Sequence, residues 1–244
     1  MRALLLDSGN TRIKAAIAVD GRIVELHIFE RVEQEAILHL AIASEVEACC
    51  VCDVSGQIND FIAKLEQRYT GQFHYVSSAS RVPFNKGGGF YPTMGSDRIA
   101  ALVGAYLRTK PRAVLVIDAG TALTYDFLDS NATYCGGLIS LGVEMRLRAL
   151  HTFTGRLPLV RVPKERVWPF TSEGTEQSLQ AGLVAGVVGE AFYLVEELKK
   201  RYPEFVILLT GGDAGCLSNF YFCESFVVQN LVLEGLYELL VCNV

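Results

Sequence analysis

No uninterrupted apolar stretch of this chain approaches the ~20 residues that a membrane-spanning helix needs. The longest, residues 181–189, stops at Glu190. The apolar run at the N-terminus is also short, and Asp7 interrupts it, which argues against a signal peptide. A cytoplasmic protein with no membrane partner is therefore expected. Positive charge is scarce: 22 lysines and arginines face 27 acidic residues, a formal net charge of −5, which argues against nucleic acid as a partner. No two-cysteine knuckle recurs at a zinc-binding spacing, and none of the four histidines sits in a metal-ligand pattern. Cys49, Cys50 and Cys52 crowd one apolar segment, while Cys135, Cys216, Cys223 and Cys242 are scattered. Reduced core thiols are the expectation, rather than disulfides.

Several nucleotide signatures are missing as well. There is no Gly-x-x-x-x-Gly-Lys-Ser/Thr loop, no Ala-x-Lys strand and no His-Arg-Asp loop. Gly87-Gly88-Gly89 has no strand directly before it and no helix directly after, so it fails the dinucleotide-binding context.

What is present describes a globular α/β protein. Half the residues are hydrophobic, 20% are charged, and 244 residues suit one large domain or two modest lobes. Apolar β-branched runs predict strands at residues 3–6, 13–19 and 22–29, with Asp20-Gly21 as a hairpin turn. Helices are expected at 33–42, 57–69 and 97–109, the last capped by Ser96, with strands at 47–54 and 74–76. Residues 82–95, rich in Gly and Pro, read as irregular. The second half opens in the same way, with strands at 113–117, 122–128 and 133–139. Helices follow at 144–154 and 176–201, around a loop holding Pro158, Pro163 and Pro169. A strand at 205–209 and a helix at 231–241 complete the chain. The predicted class is α/β, with two related lobes at residues 1–110 and 111–244.

The repeated opening carries the chemistry. Leu-Leu-Leu-Asp7-Ser8-Gly9-Asn10-Thr11 and Leu-Val-Ile-Asp118-Ala119-Gly120-Thr121 each deliver a carboxylate from a buried strand into a Gly turn with a hydroxyl beside it. Such a turn lets backbone N–H groups approach phosphate oxygens, and a carboxylate suits a hard cation. Taken singly, each is an ordinary Asp-Gly hairpin turn. Together they favour a nucleotide cleft between two lobes. Asp97, beside Arg98 at the start of a helix, is either a dipole-complementing acid or a general base next to a carboxylate-binding guanidinium. Thr210-Gly211-Gly212-Asp213-Ala214 is a strand-to-helix turn that could also pack against a nucleoside. The small-residue run Ala181, Gly182, Ala185, Gly186, Gly189 suits close helix packing or a subunit interface.

Asp7-Ser8-Gly9-Asn10-Thr11-Arg12-Ile13-Lys14, then Gly95-Ser96-Asp97-Arg98, then Asp118-Ala119-Gly120-Thr121-Ala122 occur in that order. This combination resembles the type III pantothenate kinases of the acetate and sugar kinase/Hsp70/actin superfamily. Further matches are Gly136-Gly137-Leu138-Ile139, Leu157-Pro158, Gly174-Thr175, Thr210-Gly211-Gly212 and residues 231–236. The resemblance implies two actin-like (ribonuclease H-like) lobes. It also implies transfer of the ATP γ-phosphoryl group to the 4′-hydroxyl of pantothenate, the first step of coenzyme A synthesis.

Carried over by position, residues 7–14 correspond to the first phosphate loop, with Asp7 near Mg2+, and Thr121 to the second phosphate contact. Gly211 and Gly212 match the adenosine motif. Asp97 corresponds to the catalytic base. Tyr91, Gly95, Ser96, Arg98 and Thr175 correspond to pantothenate contacts, and Asp118 to the ligand of an activating monovalent cation, K+ or NH4+. Family members are homodimers.

Three positions depart from the family pattern. Ile139-Ser140-Leu141-Gly142 stands where the segment usually ends Pro-Gly, Ser8 replaces an apolar or small residue, and Gly174 stands where asparagine is common. None removes a chemical group. Two other readings are a kinase or phosphatase of the same fold acting on another carboxylate-bearing substrate, and a non-catalytic nucleotide-binding regulator.

Overall fold

The computed structural model describes residues 1–30, 32–164, 170, 173–220 and 224–244; Pro169 and Cys223, named above, lie outside them. The chain divides into two compact units. One comprises Met1–Pro111, Ser130–Gly136 and Asn230–Val244, the other Arg112–Asp129 and Gly137–Gln229.

In the first unit, β1 (Arg2–Ser8), β2 (Ile13–Val19) and β3 (Arg22–Phe29) form an antiparallel meander. The turn between β2 and β3 has Asp20 at φ 48° and Gly21 at φ 83°, the paired left-handed conformation that suits an Asp-Gly hairpin. β4 (Ala48–Asp53) and β5 (Phe73–Tyr75) add in parallel on the other side, giving the order β3-β2-β1-β4-β5.

Residues of β1, β2 and β4 point alternately to two covered faces, which is why these strands are apolar at nearly every position. On one face Leu4, Leu6, Ile13, Ile17 and Val51 pack with Ile37 of α1 (Gln34–Ala43) and with Phe61 and Leu65 of α2 (Asn59–Arg68). The other face meets α3 (Ser96–Thr109) and α7 (Leu231–Asn243). Cys49, Cys50 and Cys52 are fully buried in β4, and burial raises all three thiols far above the ordinary range. Among the described cysteines the core-thiol expectation holds for these three: Cys135 is exposed, and Cys216 and Cys242 are half-buried. All six described cysteines are free thiols.

The close crossing of α3 and α7 depends on two glycines. A Cβ on Gly235 would collide with the carbonyl oxygen of Ala100, and one on Gly104 with that of Leu231. Gly235→Ala is therefore expected to destabilise the protein by about 2–3 kcal/mol through overpacking, a fall in Tm of roughly 2–4 °C per kcal/mol. Gly215→Ala, in a later helix and with nothing within 4 Å of the added Cβ, should leave Tm unchanged or slightly raised. Thermal denaturation of the two variants side by side checks this.

The second unit repeats the topology. β6 (Val114–Ala119) pairs antiparallel with β7 (Ala122–Leu128), and β8 (Tyr134–Leu141), whose first three residues belong to the first unit, lies beyond it. β9 (Val206–Thr210) and β10 (Phe226–Val227) run in parallel on the other side, giving β10-β9-β6-β7-β8. Each sheet thus places its first strand centrally, its second and third on one flank, and its fourth and fifth on the other. The core joins Leu115, Ile117, Tyr125 and Phe127 to Leu147 of α4 (Val143–Thr152), Leu217 of α6 (Ala214–Phe220) and the buried stripe of α5 (Thr175–Arg201). By length and composition α5 could cross a membrane, the mean hydropathy of its apolar 18-residue window being 1.5, although no uninterrupted apolar run predicts it. Leu183, Val184, Val187, Ala191 and Val195 pack into this core, which accounts for its apolar character.

Candidate active site

In the first unit, β1 ends in Asp7 and Ser8, and the turn closes through the Gly9 N–H donating to the Arg12 carbonyl at 3.1 Å. Asp7 lies opposite Lys14 on β2 and Cys52 on β4. Its half-buried carboxyl is raised above the usual carboxylate range by burial, partly offset by Lys14 and by the Cys52 thiol, which donates to Asp7 Oδ1 at 3.5 Å. Ser8 is fully buried, with its hydroxyl 3.5 Å from that of Ser55. Ile13 is core. Asn10, Thr11 and Arg12 form the exposed tip, where Arg12 pairs with Glu30 at 3.5 Å. The arrangement puts an exposed polar turn directly after the strand end that carries the Asp7 carboxylate.

Asp97 comes from the first turn of α3. Ser96 is not the cap predicted: Gly95 takes the N-cap position without a side-chain bond. Ser96 is already helical, and its hydroxyl donates to the Asp53 carbonyl at 3.3 Å, tying the helix start to the end of β4. Asp97 Oδ1 accepts from the Arg98 N–H at 2.7 Å. This fold-back needs the bare Gly95, since a Cβ there would stand 2.6 Å from Asp97 Oδ1. After burial, the charges of Asp7 and Asp97 are the next causes that raise the Cys52 thiol. Two carboxylates from separate elements therefore act on one buried sulfur. Arg98 is only 4% exposed, its Nη1 donating to Tyr91 Oη at 2.6 Å and its Nη2 to Tyr134 Oη at 3.2 Å.

In the second unit, half-buried Asp118, next to last in β6, lies opposite Thr124 and Thr210, and the Gly120 N–H closes the turn on the Ala122 carbonyl at 3.0 Å. Thr121 is exposed on that turn. Two glycines press against it. Gly211 has φ 91°, and a Cβ there would strike Asp118 Oδ1 and the Ala119 carbonyl; one on Gly142 would strike the carbonyls of Gly120 and Thr121. The backbone at Gly211 thus packs on Asp118 and Ala119, and that at Gly142 on the Gly120-Thr121 turn, so closely that no side chain fits between them. Asp213 donates its N–H to the Ala119 carbonyl at 2.9 Å, and burial followed by Glu144 raises its carboxyl. Gly212 and Thr175 lie away from this packing: both are exposed, Thr175 as the first residue of α5. Among the described residues no three His, Cys, Asp or Glu side chains gather as a metal cage. A lone Asp7 suits Mg2+, which takes one or two carboxylates and leaves the rest of its shell to phosphates and water.

Tyr134 and Asp53 were not named by sequence reasoning, which gave Cys52 and Gly142 no role at the site. Only Gly142 carried a signal, as the glycine that remains where the family pattern ends in Pro-Gly.

Residues 3–197 match the type III pantothenate kinase family. The type III pantothenate kinase of Flavobacterium johnsoniae is 34% identical over 240 residues, covering 96% of each chain. That of Porphyromonas gingivalis is 31% identical over 246 residues, covering 99% of this chain and 98% of the relative. Two solved structures share the fold at low identity. One is a Campylobacter jejuni protein assigned to the Baf family of transcriptional activators, with TM-score 0.63, 19% identity, and 98% and 97% of the two chains covered. The other is a Streptomyces griseus ROK family glucokinase in complex with glucose and AMPPNP, with TM-score 0.52, 14% identity, and 98% and 99% covered. Two α/β units of repeated topology are the architecture of these actin-like and sugar-kinase folds, and near-full-length identity above 30% decides the family: this chain belongs to the type III pantothenate kinases.

Proposed function

We propose that this protein transfers the γ-phosphoryl group of ATP to the 4′-hydroxyl of pantothenate, the first step of coenzyme A biosynthesis, with Asp97 as general base. Membership of a kinase family makes ATP the phosphoryl donor and a divalent cation its companion. The observation that carries the residue roles is geometric: the Cys52 thiol of β4 donates to Asp7, and Ser96, the neighbour of Asp97, donates to the carbonyl of Asp53 at the end of that same strand. Phosphoryl transfer asks a protein mainly for positioning and charge neutralisation. Asp7 is the side chain that would hold Mg2+, which would supply the neutralising charge. Asp97 accepts the hydroxyl proton as the oxygen attacks in line. Arg98, with Tyr91, holds the pantothenate carboxylate.

The turn of residues 7–14, through its exposed tip Asn10, Thr11 and Arg12 rather than through buried Ser8 and Ile13, is assigned with Thr121 to the ATP phosphates, and Gly211 and Gly212 to the adenosine. Asp118 is assigned to a monovalent cation, K+ or NH4+. Its closely packed carbonyl surroundings support that role, since backbone oxygens and a carboxylate are hard ligands. Thr175 is assigned to pantothenate. A homodimer is part of the proposal, supported by exposed Gly182, Ala185, Gly186 and Gly189 along α5, with Phe192 and Tyr193 continuing that side at 57% and 62% exposure. Free thiols throughout the described residues support a reducing, cytoplasmic location.

The test is ADP release from ATP with magnesium and potassium across a panel of small hydroxyl-bearing acids. Release that depends on pantothenate and is weak with the others supports the reading. Release with another acid and not with pantothenate overturns the substrate assignment.

A further inference from the structure

Gly87-Gly88-Gly89, which fits no nucleotide motif, has a clear packing role. A Cβ on Gly87 would strike the carbonyl of Tyr134, and one on Gly89 would stand 2.9 Å from the Cα and N of Gly136. Next to them Asn85 bridges to Thr133 in parallel: its N–H donates to the Ala132 carbonyl at 2.8 Å, and its carbonyl accepts the Tyr134 N–H at 2.8 Å. The loop that carries Tyr91 is thus clasped, backbone to backbone, against residues 132–136, all within the first unit. Only residues without side chains allow that approach.

The clasp delivers Tyr134. Its side chain is fully buried, and Phe90 stands edge-on to it with ring centroids 5.9 Å apart. Its hydroxyl accepts from Arg98 Nη2, while the half-exposed Tyr91 accepts from Nη1. One guanidinium is therefore held at both terminal nitrogens by phenols, one inside the fold and one at its surface. A phenol oxygen that accepts from a guanidinium has its own O–H polarised and can donate it outward, which suits a carboxylate. The direction in which the Arg98–Tyr91 pair offers its donors is set by the inner phenol, because a planar guanidinium fixed at one end cannot swing at the other.

We infer that Tyr134 is a positioning residue for carboxylate recognition, aiming Arg98 and through it Tyr91 at the acid group of the acceptor. This rests on the functional reading above. It also names what the triglycine does: it seats Tyr134 and the Tyr91 loop against each other. Tyr134 touches neither the hydroxyl that is phosphorylated nor the nucleotide in this account. Its removal should affect recognition of the acid group and leave the transfer step alone.

The experiment is steady-state kinetics of Tyr134→Phe with two acceptors, pantothenate and its alcohol analogue panthenol, which keeps the reacting hydroxyl but lacks the carboxylate. KM for pantothenate should rise roughly tenfold, with kcat and the KM for ATP within about twofold of wild type. kcat/KM for panthenol should change by less than about twofold. An unchanged KM for pantothenate overturns the proposal, and so does an equal loss with both acceptors, which marks general loosening of the site. If Tyr134→Phe does not accumulate folded, Gly89→Ala carries the same test, because its Cβ displaces Gly136 and with it Tyr134. It should show the same selective loss for pantothenate, and the same two contrary results overturn the proposal. A wild-type protein inactive toward pantothenate would sink the functional reading itself, a result distinct from all of these.

Discussion

Asp97→Asn should lower kcat by about 10³-fold while leaving the KM for ATP within about twofold. Asparagine keeps the shape of the side chain and can still accept the Arg98 N–H that Asp97 Oδ1 now accepts at 2.7 Å, so the start of α3 should stay intact. What it cannot do is take a proton. The loss should therefore fall on the chemical step, and Tm should move little. A variant with wild-type turnover would mean that the proton leaves by another route and that Asp97 serves only to complement the helix dipole.

Asp7→Asn should lower kcat/KM for ATP by about 10²-fold or more, because the carboxylate assigned to Mg2+ is gone. The same change should raise stability at neutral pH. Burial raises the Asp7 carboxyl above the usual carboxylate range. Over the interval between its unfolded and folded pKa values, the native state holds a proton that the unfolded chain has released. Stability therefore falls as pH rises through that interval, and the ionised group costs free energy above it. Asparagine removes this cost, and Tm should rise roughly 2–4 °C for each kcal/mol relieved. The difference from wild type should vanish below the ordinary carboxylate pKa, where Asp7 is protonated in both states. Equal Tm at neutral pH, or a lower Tm in the variant, would contradict this account of Asp7.

Much of this was legible because the chemistry sits at the ends of strongly patterned elements. The apolar run before Asp7 and the one before Asp118 could each be read as a strand and the following Gly as a turn, and β1 and β6 occupy corresponding central places in sheets of the same order. The Asp20-Gly21 hairpin was legible because its dihedral requirement is local. Ser96 was misread for an equally local reason: a serine before a helix suits a cap, and only the Asp53 carbonyl, 43 residues away in sequence, draws its hydroxyl elsewhere. Short α6 and β10 offered too few residues for a period to show. The partnership of Arg98 with Tyr134 and the seating of Gly235 on Ala100 depend on segments far apart in the chain. Before folding, a glycine that allows contact looks the same as one that merely makes a turn. Gly87-Gly88-Gly89 could be denied a nucleotide role, but it could not be given its packing role.

The most direct measurement of the central claim is phosphorus NMR of a reaction containing the protein, ATP, magnesium, potassium and pantothenate. The account predicts ADP and a phosphate monoester on the 4′-oxygen in equal amounts, with neither formed when pantothenate is left out. ADP accompanied only by inorganic phosphate, or ATP left intact beside untouched pantothenate, would contradict it.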